Sequence, residues 1–230
     1  MRSSIGEMTG GEYHLRGKAV SEYIGAADFT SMIWLTWMGS DPSKEQRDLL
    51  EACLVASIDH GAEPPSTHVA RTIASCGKPL ADAIAAGVLA FGPRHGNAAG
   101  AASAALMEAV QSGISPDAYA ASALEGKRRL PGFGHPKYEV DPRAFKLTKL
   151  AKELLPSTPH VDFAVALSAA LSRIKGKPLP LNIDGAIGAI VADLGIPTEI
   201  ADAIFLTARV VGMVAHAREE AAASLSYRRG

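Results

Sequence analysis

The chain is poor in cysteine, in aromatic residues and in net charge. Of its 230 residues only two are cysteines, aromatic residues make up 6%, and the formal net charge is -1. Two cysteines are too few for the disulfide framework of a small secreted domain and suit a reducing compartment, so we expect a cytoplasmic protein. The balanced charge gives no electrostatic reason to expect a nucleic-acid partner.

The patterns of several other protein classes are also missing. No apolar run approaches the roughly 18 residues of a membrane span, and the start Met1–Glu7 lacks the apolar core of a signal peptide, so we expect no membrane association. There is no HExxH, no paired CxxC and no cysteine–histidine cluster, which argues against a metal site. The Walker A and GxGxxG loops of nucleotide-binding proteins and the GxSxG elbow of α/β-hydrolases are absent too.

What the chain does have is alanine and helical periodicity. Leu49, Ala52, Cys53 and Ala56 share one face of a predicted helix, for which Asp41–Pro42 predicts the N-cap and first turn. No segment alternates apolar and polar residues long enough to predict a strand, so we predict an all-α fold. Further helices are predicted over residues 17–38, 66–76, 78–91, 97–112, 116–128, 142–155, 160–173, 185–194 and 197–223.

Two of these helices, 78–91 and 97–112, are too apolar for one small domain to cover. They predict an obligate homodimer, or a dimer of dimers, with both helices at the interface. The alanine-rich run Ala98–Ala105 would let helices pack closely and is too short to span a membrane.

Three glycine-flanked segments carry the side chains best suited to chemistry. They are Gly92–Gly96 with His95, Gly132–Pro136 with His135, and Asn182–Gly185 with Asp184. Glycine permits sharp turns and close backbone approach, histidine changes charge near pH 7, and aspartate can act as a base. Together they predict a site that moves protons on and off carbon.

Two of these residues have simpler interpretations. His95 precedes a predicted helix whose first N–H groups would favour an anion or a carbonyl oxygen, but it could equally cap that helix. Asp184 lies in an apolar stretch, where burial would raise the pKa of its carboxyl group. It could instead be the N-cap of helix 185–194.

Two arginines and a further histidine complete the candidate set. Arg143 follows Asp141–Pro142 and could hold a carboxylate through two hydrogen bonds, or it could be solvated beside a helix start. Arg209 interrupts the apolar stripe of the last predicted helix and therefore needs an anionic partner. His60 precedes Gly61, which would suit a helix C-cap as well as a ligand contact.

In this order the motifs resemble the citrate synthase superfamily, and most closely its citryl-CoA lyase branch, which includes the C-terminal lyase module of ATP-citrate lyase. The resemblance covers essentially the whole chain. The matching segments are Arg16–Gly17, Ala56–Gly61, Gly92–Gly96, Pro131–His135, Asp141–Arg143, Asn182–Gly185, Arg209–Gly212 and Tyr227–Arg229. The resemblance implies a large helical domain of residues 1–115 and 185–230, and a small helical domain of residues 116–184 that closes over the CoA site.

The resemblance also implies a role for each candidate residue. His95 would steady the enol or thioester oxygen of acetyl-CoA, Asp184 would exchange a proton with the acetyl methyl group, and Lys137 would contact CoA. His135 would act both in catalysis and in binding. The oxaloacetate part of the substrate would be held by His60, His135, Arg143, Arg209 and Arg228, the last of them lent by a neighbouring subunit.

The implied activity is the reversible cleavage of citryl-CoA to acetyl-CoA and oxaloacetate. The substrate is a CoA thioester, no permanently bound cofactor is implied, and a citryl-CoA synthetase is an implied partner. One alternative is a short citrate or 2-methylcitrate synthase, an acyltransferase that also hydrolyses the thioester. His95 favours it, since the ATP-citrate lyase module has phenylalanine there. The other alternative is a non-catalytic subunit of an acyl-CoA enzyme.

Overall fold

A computed structural model describes residues 3–92 and 95–223 of the chain. Its contacts group the chain into two compact units, residues 1–51 and residues 52–230. The large and small domains that the resemblance implies, 1–115 with 185–230 and 116–184, stay a prediction. The elements are β1 (Gly6–Thr9), β2 (Glu12–Leu15), β3 (Lys18–Ala19), α1 (Val20–Tyr23), α2 (Phe29–Met38), α3 (Lys44–Ser57), α4 (Pro65–Ser75), α5 (Leu80–Leu89), α6 (Ala99–Ser112), α7 (Pro116–Glu125), α8 (Pro142–Leu154), α9 (Pro159–Lys175), α10 (Ile183–Asp193) and α11 (Thr198–Ala222).

The first unit contains a small antiparallel sheet that the sequence analysis did not predict. Its strands follow the order β1-β2-β3, and Gly10 and Gly11 make the first turn with φ of 63° and 85°. A Gly-Gly pair between short runs is a hairpin signal that was available in the sequence. The predicted helix over 17–38 is therefore wrong at its start, and Gly25, with φ of 80°, separates α1 from α2.

The start of α3 also differs from its prediction. Asp41–Pro42 does not cap this helix, which begins at Lys44. Instead the Ser43 hydroxyl accepts from the Gln46 N–H at 3.2 Å, and the Gln46 side chain accepts from the Ser43 N–H at 2.8 Å. This reciprocal capping box satisfies two N–H groups at once, which a single aspartate cannot do.

The helices predicted after α3 are all present, with ends that shift by a few residues. Cys53 lies in the core, as predicted, and burial raises the pKa of its thiol to about 12. The all-α class is confirmed, since helices dominate and the sheet is small.

Helix α10 is the buried centre of the second unit. It packs against α6, α8, α9 and α11, and nearly every residue from Ile183 to Ala192 is buried. A Cβ atom on Gly188 would lie 2.7 Å from the carbonyl oxygen of Ala99, so glycine allows α6 and α10 to touch backbone to backbone. This contact fixes the N-terminus of α10, where Asp184 lies.

The two helices predicted at a dimer interface differ in their surroundings. The small residues Ala99 and Ala102 on α6 are buried against α10, so the apolar content of α6 is explained within the chain. Helix α5 instead leaves Leu80 44% and Leu89 85% exposed. The homodimer stays a prediction, and α5 is the better candidate for its interface.

Helix α11 is long and apolar enough to cross a membrane by length and composition alone. It packs against α4, α5, α6 and α10, and it carries the buried, charged Arg209. These are the features of a core helix.

Candidate active site

The second unit brings six predicted site residues together from distant parts of the chain. Arg143 Nη1 lies 3.3 Å from Nδ1 of His60, and the ring centres of His60 and His135 are 6.4 Å apart. His95 and Asp184 line one cavity of about 330 Å³. Arg209 influences the pKa of His60, His95 and Asp184 through its charge, which links the sixth residue to the other five.

Arg143 is held by a buried partner two residues earlier in the chain. The Asp141 carboxylate, 1% exposed, accepts from Arg143 Nε at 3.0 Å and from Nη2 at 2.8 Å. It also accepts from the Arg143 backbone N–H and so caps α8. The expectation that Asp141–Pro142 starts a helix is confirmed, but Arg143 is not a solvated side chain, because its guanidinium is locked in a bidentate pair.

Burial raises the pKa of Asp141, but the hydrogen bonds and charge of Arg143 outweigh it and leave that pKa below its usual value. The pair therefore stays ionised, and Arg143 is a rigid donor facing His60. Asp141 is a positioning residue that the sequence analysis placed only at a helix start.

His60 is not at a helix C-cap, because α3 ends at Ser57. Its Nδ1 faces Arg143 Nη1, and a guanidinium can only donate, so Nδ1 accepts and the ring proton is on Nε2. Burial lowers the pKa of His60, and the charges of Arg143 and Arg209 lower it further. His60 is therefore a neutral imidazole that offers one N–H donor.

His135 is fixed in the same way by its own loop. Its Nδ1 accepts from the backbone N–H groups of Lys137 at 3.0 Å and Tyr138 at 3.2 Å, which puts the ring proton on Nε2. Burial lowers its pKa, Asp141 opposes this, and Arg143 and Lys137 add to it. The backbone of Lys137 thus orients His135, while the predicted contact of its side chain with CoA stays a prediction.

His95 carries its proton on the opposite ring nitrogen. The Ser66 backbone N–H donates to Nε2 of His95 at 3.3 Å, and the Ser66 hydroxyl lies 2.9 Å from the same atom. Nε2 therefore accepts, and Nδ1 carries the proton. The ring stacks on Phe91 with centroids 5.2 Å apart, and burial, Arg209 and His60 lower its pKa. His95 contacts α4 through Ser66 and does not serve mainly as a cap of α6, whose N-cap is Ala98.

Asp184 is a half-buried carboxylate that does not cap its helix. The N-cap of α10 is Asn182, whose side chain accepts from the N–H groups of Asp184 and Gly185. Within residues 3–92 and 95–223, the buried Oδ1 of Asp184 has no hydrogen-bond partner. A buried polar atom left unpaired costs stability, so its persistence points to a functional role.

The pKa of Asp184 is raised, first by burial and then by the negative charge of Asp202. Arg143 and Arg209 oppose this rise and Asp141 adds to it. A carboxyl group whose pKa moves up toward neutrality can both accept and return a proton.

The glycines of the second and third segments shape the cavity wall. Gly132 has φ of 85°, and a Cβ atom there would lie 2.5 Å from Cα of Gly185. Asn182 links the two segments, because its N–H donates to the Gly132 carbonyl at 2.9 Å and its side chain donates to the Gly134 carbonyl at 3.0 Å. The loop therefore lies directly against the start of α10, and Asp184 faces the cavity between them.

Arg209 is a buried cation with an unsatisfied donor. It is 1% exposed, its Nε donates to the Ser57 carbonyl at 3.1 Å, and its guanidinium lies 4.4 Å from the Phe205 ring centre. Nη1 is buried and has no hydrogen-bond partner in the part of the chain that the structure describes. Burial lowers the pKa of Arg209 and Arg143 adds to this, while the charges of Asp59 and Asp184 oppose it. A ligand carboxylate would satisfy it.

Three residues near the site were not predicted from the sequence, and others lie outside the described residues. Ser66, Asp202 and Arg129, which lines the cavity, carried no local signal, because their importance depends on partners far along the chain. Arg228 lies outside the described residues, so its proposed place in a neighbouring subunit's site stays a prediction. Pro93 and Arg94 of the first glycine-flanked segment also lie outside them.

The charge of Asp202 gives the first prediction. Its carboxylate accepts from the Gly100 N–H at 2.9 Å, and an asparagine oxygen can still accept that bond. Asp202→Asn should therefore remove the negative charge near Asp184 and lower the pKa of Asp184. The limb of the kcat/KM pH profile that reports ionisation of Asp184 should move to lower pH. An unchanged limb in a variant of unchanged melting temperature would show that Asp202 does not tune Asp184.

Comparison with known proteins supports the family that the sequence motifs resemble. The profile described as citrate synthase, C-terminal domain, matches residues 3–229. Among curated relatives, ATP-citrate synthase beta chain protein 2 of Arabidopsis thaliana is 28% identical over 93% of this chain, and a probable ATP-citrate synthase of Dictyostelium discoideum is 28% identical over 95%. The chain spans only 38% of the length of each of these relatives.

Among solved structures, one match covers most of both chains. Citryl-CoA lyase from Hydrogenobacter thermophilus is 37% identical, with a TM-score of 0.94, and the match covers 100% of this chain and 91% of that one. Citrate synthase from Pyrobaculum aerophilum is 27% identical with a TM-score of 0.74, over 87% of this chain and 51% of that one. The family model covers nearly the whole chain, and the fold matches solved structures of the same group, so the chain belongs to the citrate synthase family.

Proposed function

We propose that this protein is a citryl-CoA lyase, which cleaves citryl-CoA to acetyl-CoA and oxaloacetate. The observation that carries the proposal is the match with a citryl-CoA lyase over 91% of that protein and the whole of this one, at 37% identity. The site supports it, because Asp184 and the N–H donor His95 line one cavity. The positive charge of Arg209 acts on both of them.

The carboxylates of the citryl group would bind the two arginines. The buried Nη1 of Arg209 has no hydrogen-bond partner among residues 3–92 and 95–223, and Arg143 is held rigid by Asp141. The Nε2–H of His60 lies beside Arg143 and would complete this carboxylate site. Arg129 lines the adjoining cavity and is a candidate for contact with the CoA part.

His135 would bind the oxygen at the reacting carbon. Because backbone donors occupy its Nδ1, the neutral ring offers Nε2–H as a donor and has no acceptor for the substrate hydroxyl proton. We therefore assign that proton to the carboxylate of Asp184, whose raised pKa suits a proton acceptor.

The carboxyl group of Asp184 is then sufficient for both proton transfers of the cleavage. The hydroxyl proton moves to Asp184, the carbon–carbon bond breaks to form the oxaloacetate carbonyl, and its electron pair passes to the acetyl-CoA enolate. Nδ1–H of His95 donates to the enolate oxygen, and Asp184 returns the proton to the enolate carbon. One well-placed donor to such an oxyanion contributes about 3–4 kcal/mol.

The proposal is tested by product analysis with the purified chain. Citryl-CoA should yield acetyl-CoA and oxaloacetate in equal amounts, measured by liquid chromatography with mass spectrometry. Acetyl-CoA plus oxaloacetate should form citryl-CoA, with little free CoA. Rapid release of free CoA together with citrate would instead support the synthase alternative. That alternative is supported by the likeness to the Pyrobaculum aerophilum citrate synthase. No turnover in either direction would favour a non-catalytic subunit.

The unsatisfied guanidinium gives a second prediction. Arg209→Gln should raise the Kd of oxaloacetate about 10- to 100-fold, because a charged, desolvated hydrogen bond contributes about 1.5–3 kcal/mol. The measurement is isothermal titration calorimetry. Arg218→Gln, an exposed change on the same helix, serves as the charge-matched control and should leave Kd unchanged. Equal Kd values for wild type and Arg209→Gln would remove Arg209 from the carboxylate site.

The oligomeric state and the partner protein are part of the same proposal. We propose a homodimer, supported by the exposed leucines of α5, in which Arg228 of each copy would serve the other copy's site. We also propose a citryl-CoA synthetase as the partner that would supply citryl-CoA, which the similarity to ATP-citrate synthase relatives supports.

A further inference from the structure

Helix α11 holds the segment that carries His60 through three residues on one face. Arg209, Gly212 and His216 are spaced by three and four positions, so they lie on the same side of the helix. All three contact residues between Ser57 and Gly61. Only Arg209 has a role in the proposed reaction.

The first two contacts bring the backbone of this segment onto the helix. Arg209 Nε donates to the Ser57 carbonyl at 3.1 Å. A Cβ atom on Gly212 would lie 2.5 Å from the Ile58 carbonyl oxygen and 2.8 Å from Oδ1 of Asp59. Real Cβ atoms do not approach backbone oxygen so closely, so the segment rests directly on the helix backbone at Gly212.

The third contact fixes Asp59. Nε2 of His216 lies 3.1 Å from Oδ1 of Asp59, while Oδ2 accepts from the Gly61 N–H at 3.0 Å. Burial raises the pKa of Asp59, but the backbone N–H groups of Gly61 and His60, together with His216, outweigh it and leave the pKa lowered. Asp59 is thus an ionised acceptor, and Nε2 of His216 is the donor.

These bonds hold the residues on both sides of His60 in the chain. Asp59 precedes it, and Gly61, with φ of 83°, follows it in a turn that Asp59 closes. The His60 ring then faces Arg143, with Nδ1 of His60 3.3 Å from Nη1 of Arg143. A loop residue would otherwise be free to change its backbone angles, whereas here the carboxylate of Asp59 ties the turn to α11.

We infer that Asp59 and His216 form a positioning pair, which sets the His60 imidazole against Arg143 and so shapes the half-site for the oxaloacetate part of the substrate. The inference rests on the proposed function for its ligand. Neither residue would touch the substrate; both act through His60.

The test compares two replacements of His216 by calorimetry, with oxaloacetate and CoA as separate probes. His216→Leu removes the donor and should raise the Kd of oxaloacetate about tenfold or more, the equivalent of about 1.4 kcal/mol, because it breaks a hydrogen bond to a charged group. The Kd of CoA should change less than twofold. His216→Gln places an amide N–H at similar reach and should recover most of the loss. Glu219→Gln, which alters the exposed carboxylate 3.8 Å from Nδ1 of the same ring, is the matched control and should change neither Kd.

The outcomes distinguish failure of the proposed function from failure of the proposed Asp59–His216 pair. Failure of the wild-type chain to bind oxaloacetate would count against the proposed function. In that case the ring signals of His60 in a ¹H–¹³C NMR spectrum still test the pair, since His216→Leu should shift them and Glu219→Gln should not. Wild-type oxaloacetate Kd and unshifted His60 signals in His216→Leu would overturn the inference, as would equal losses for oxaloacetate and CoA. If His216→Leu does not fold, Asp59→Asn, which keeps only one of the two oxygens that accept from His216 and from the Gly61 N–H, must shift the His60 ring signals and show the same selective loss.

Discussion

Asp184→Asn is expected to lower kcat by about two to four orders of magnitude, because it removes the group that carries the proton in both halves of the reaction. Asparagine has nearly the same shape, so binding of oxaloacetate and CoA should be retained. The rate is measured under saturating citryl-CoA by following acetyl-CoA. Retention of more than about a tenth of the wild-type kcat would rule out the assignment of Asp184 as the proton carrier.

The same substitution should not destabilise the fold at neutral pH. A carboxyl group whose folded pKa lies above its unfolded value favours the folded state when protonated, and it costs stability at a pH above both values. The melting temperature of Asp184→Asn at pH 7 should therefore equal or exceed that of wild type. Wild type, but not the variant, should gain relative stability from this group as the pH falls through the raised pKa. A lower melting temperature for the variant at pH 7 would contradict this sign.

His95→Ala is expected to lower kcat by about two to three orders of magnitude, because it removes the N–H donor to the enolate oxygen, which contributes about 3–4 kcal/mol. Since His95 is assigned to the transition state and not to the carboxylates, the Kd of oxaloacetate should stay near the wild-type value. Steady-state kinetics and calorimetry on the same preparation measure the two quantities.

Ser66→Ala is the matched control for His95. The substitution removes the hydroxyl 2.9 Å from Nε2 but keeps the backbone N–H that assigns the ring proton to Nδ1. It should therefore reduce kcat much less than His95→Ala does. If the two variants lost equal activity, the orientation of the ring would depend on the Ser66 hydroxyl. If His95→Ala kept its kcat but bound oxaloacetate poorly, the assigned role of His95 would be wrong.

Much of the helical framework was predictable, because its signals are local. Apolar spacing placed the helices after α3 within a few residues, and Cys53 fell in the core as its stripe indicated. The hairpin was missed because its strands are short and do not alternate clearly, although Gly10–Gly11 marked the turn. The false cap at Asp41–Pro42 shows that two adjacent cap signals compete, and that the reciprocal bonds of Ser43 and Gln46 decide between them.

The sequence by itself determined which chemical groups this protein has available and, through order and spacing, the family in which they work. Only the tertiary structure decided the pKa values and hydrogen-bond partners of these groups. His60 meets Arg143 across 83 residues, and Arg209 meets Ser57 across 152. Burial and charges from such distant partners raise the pKa of Asp184 and lower the pKa of His60, His95 and His135. Packing buries Nη1 of Arg209 with no hydrogen-bond partner among the described residues. These effects depend on distances in space, because electrostatic and desolvation energies do not follow separation along the chain.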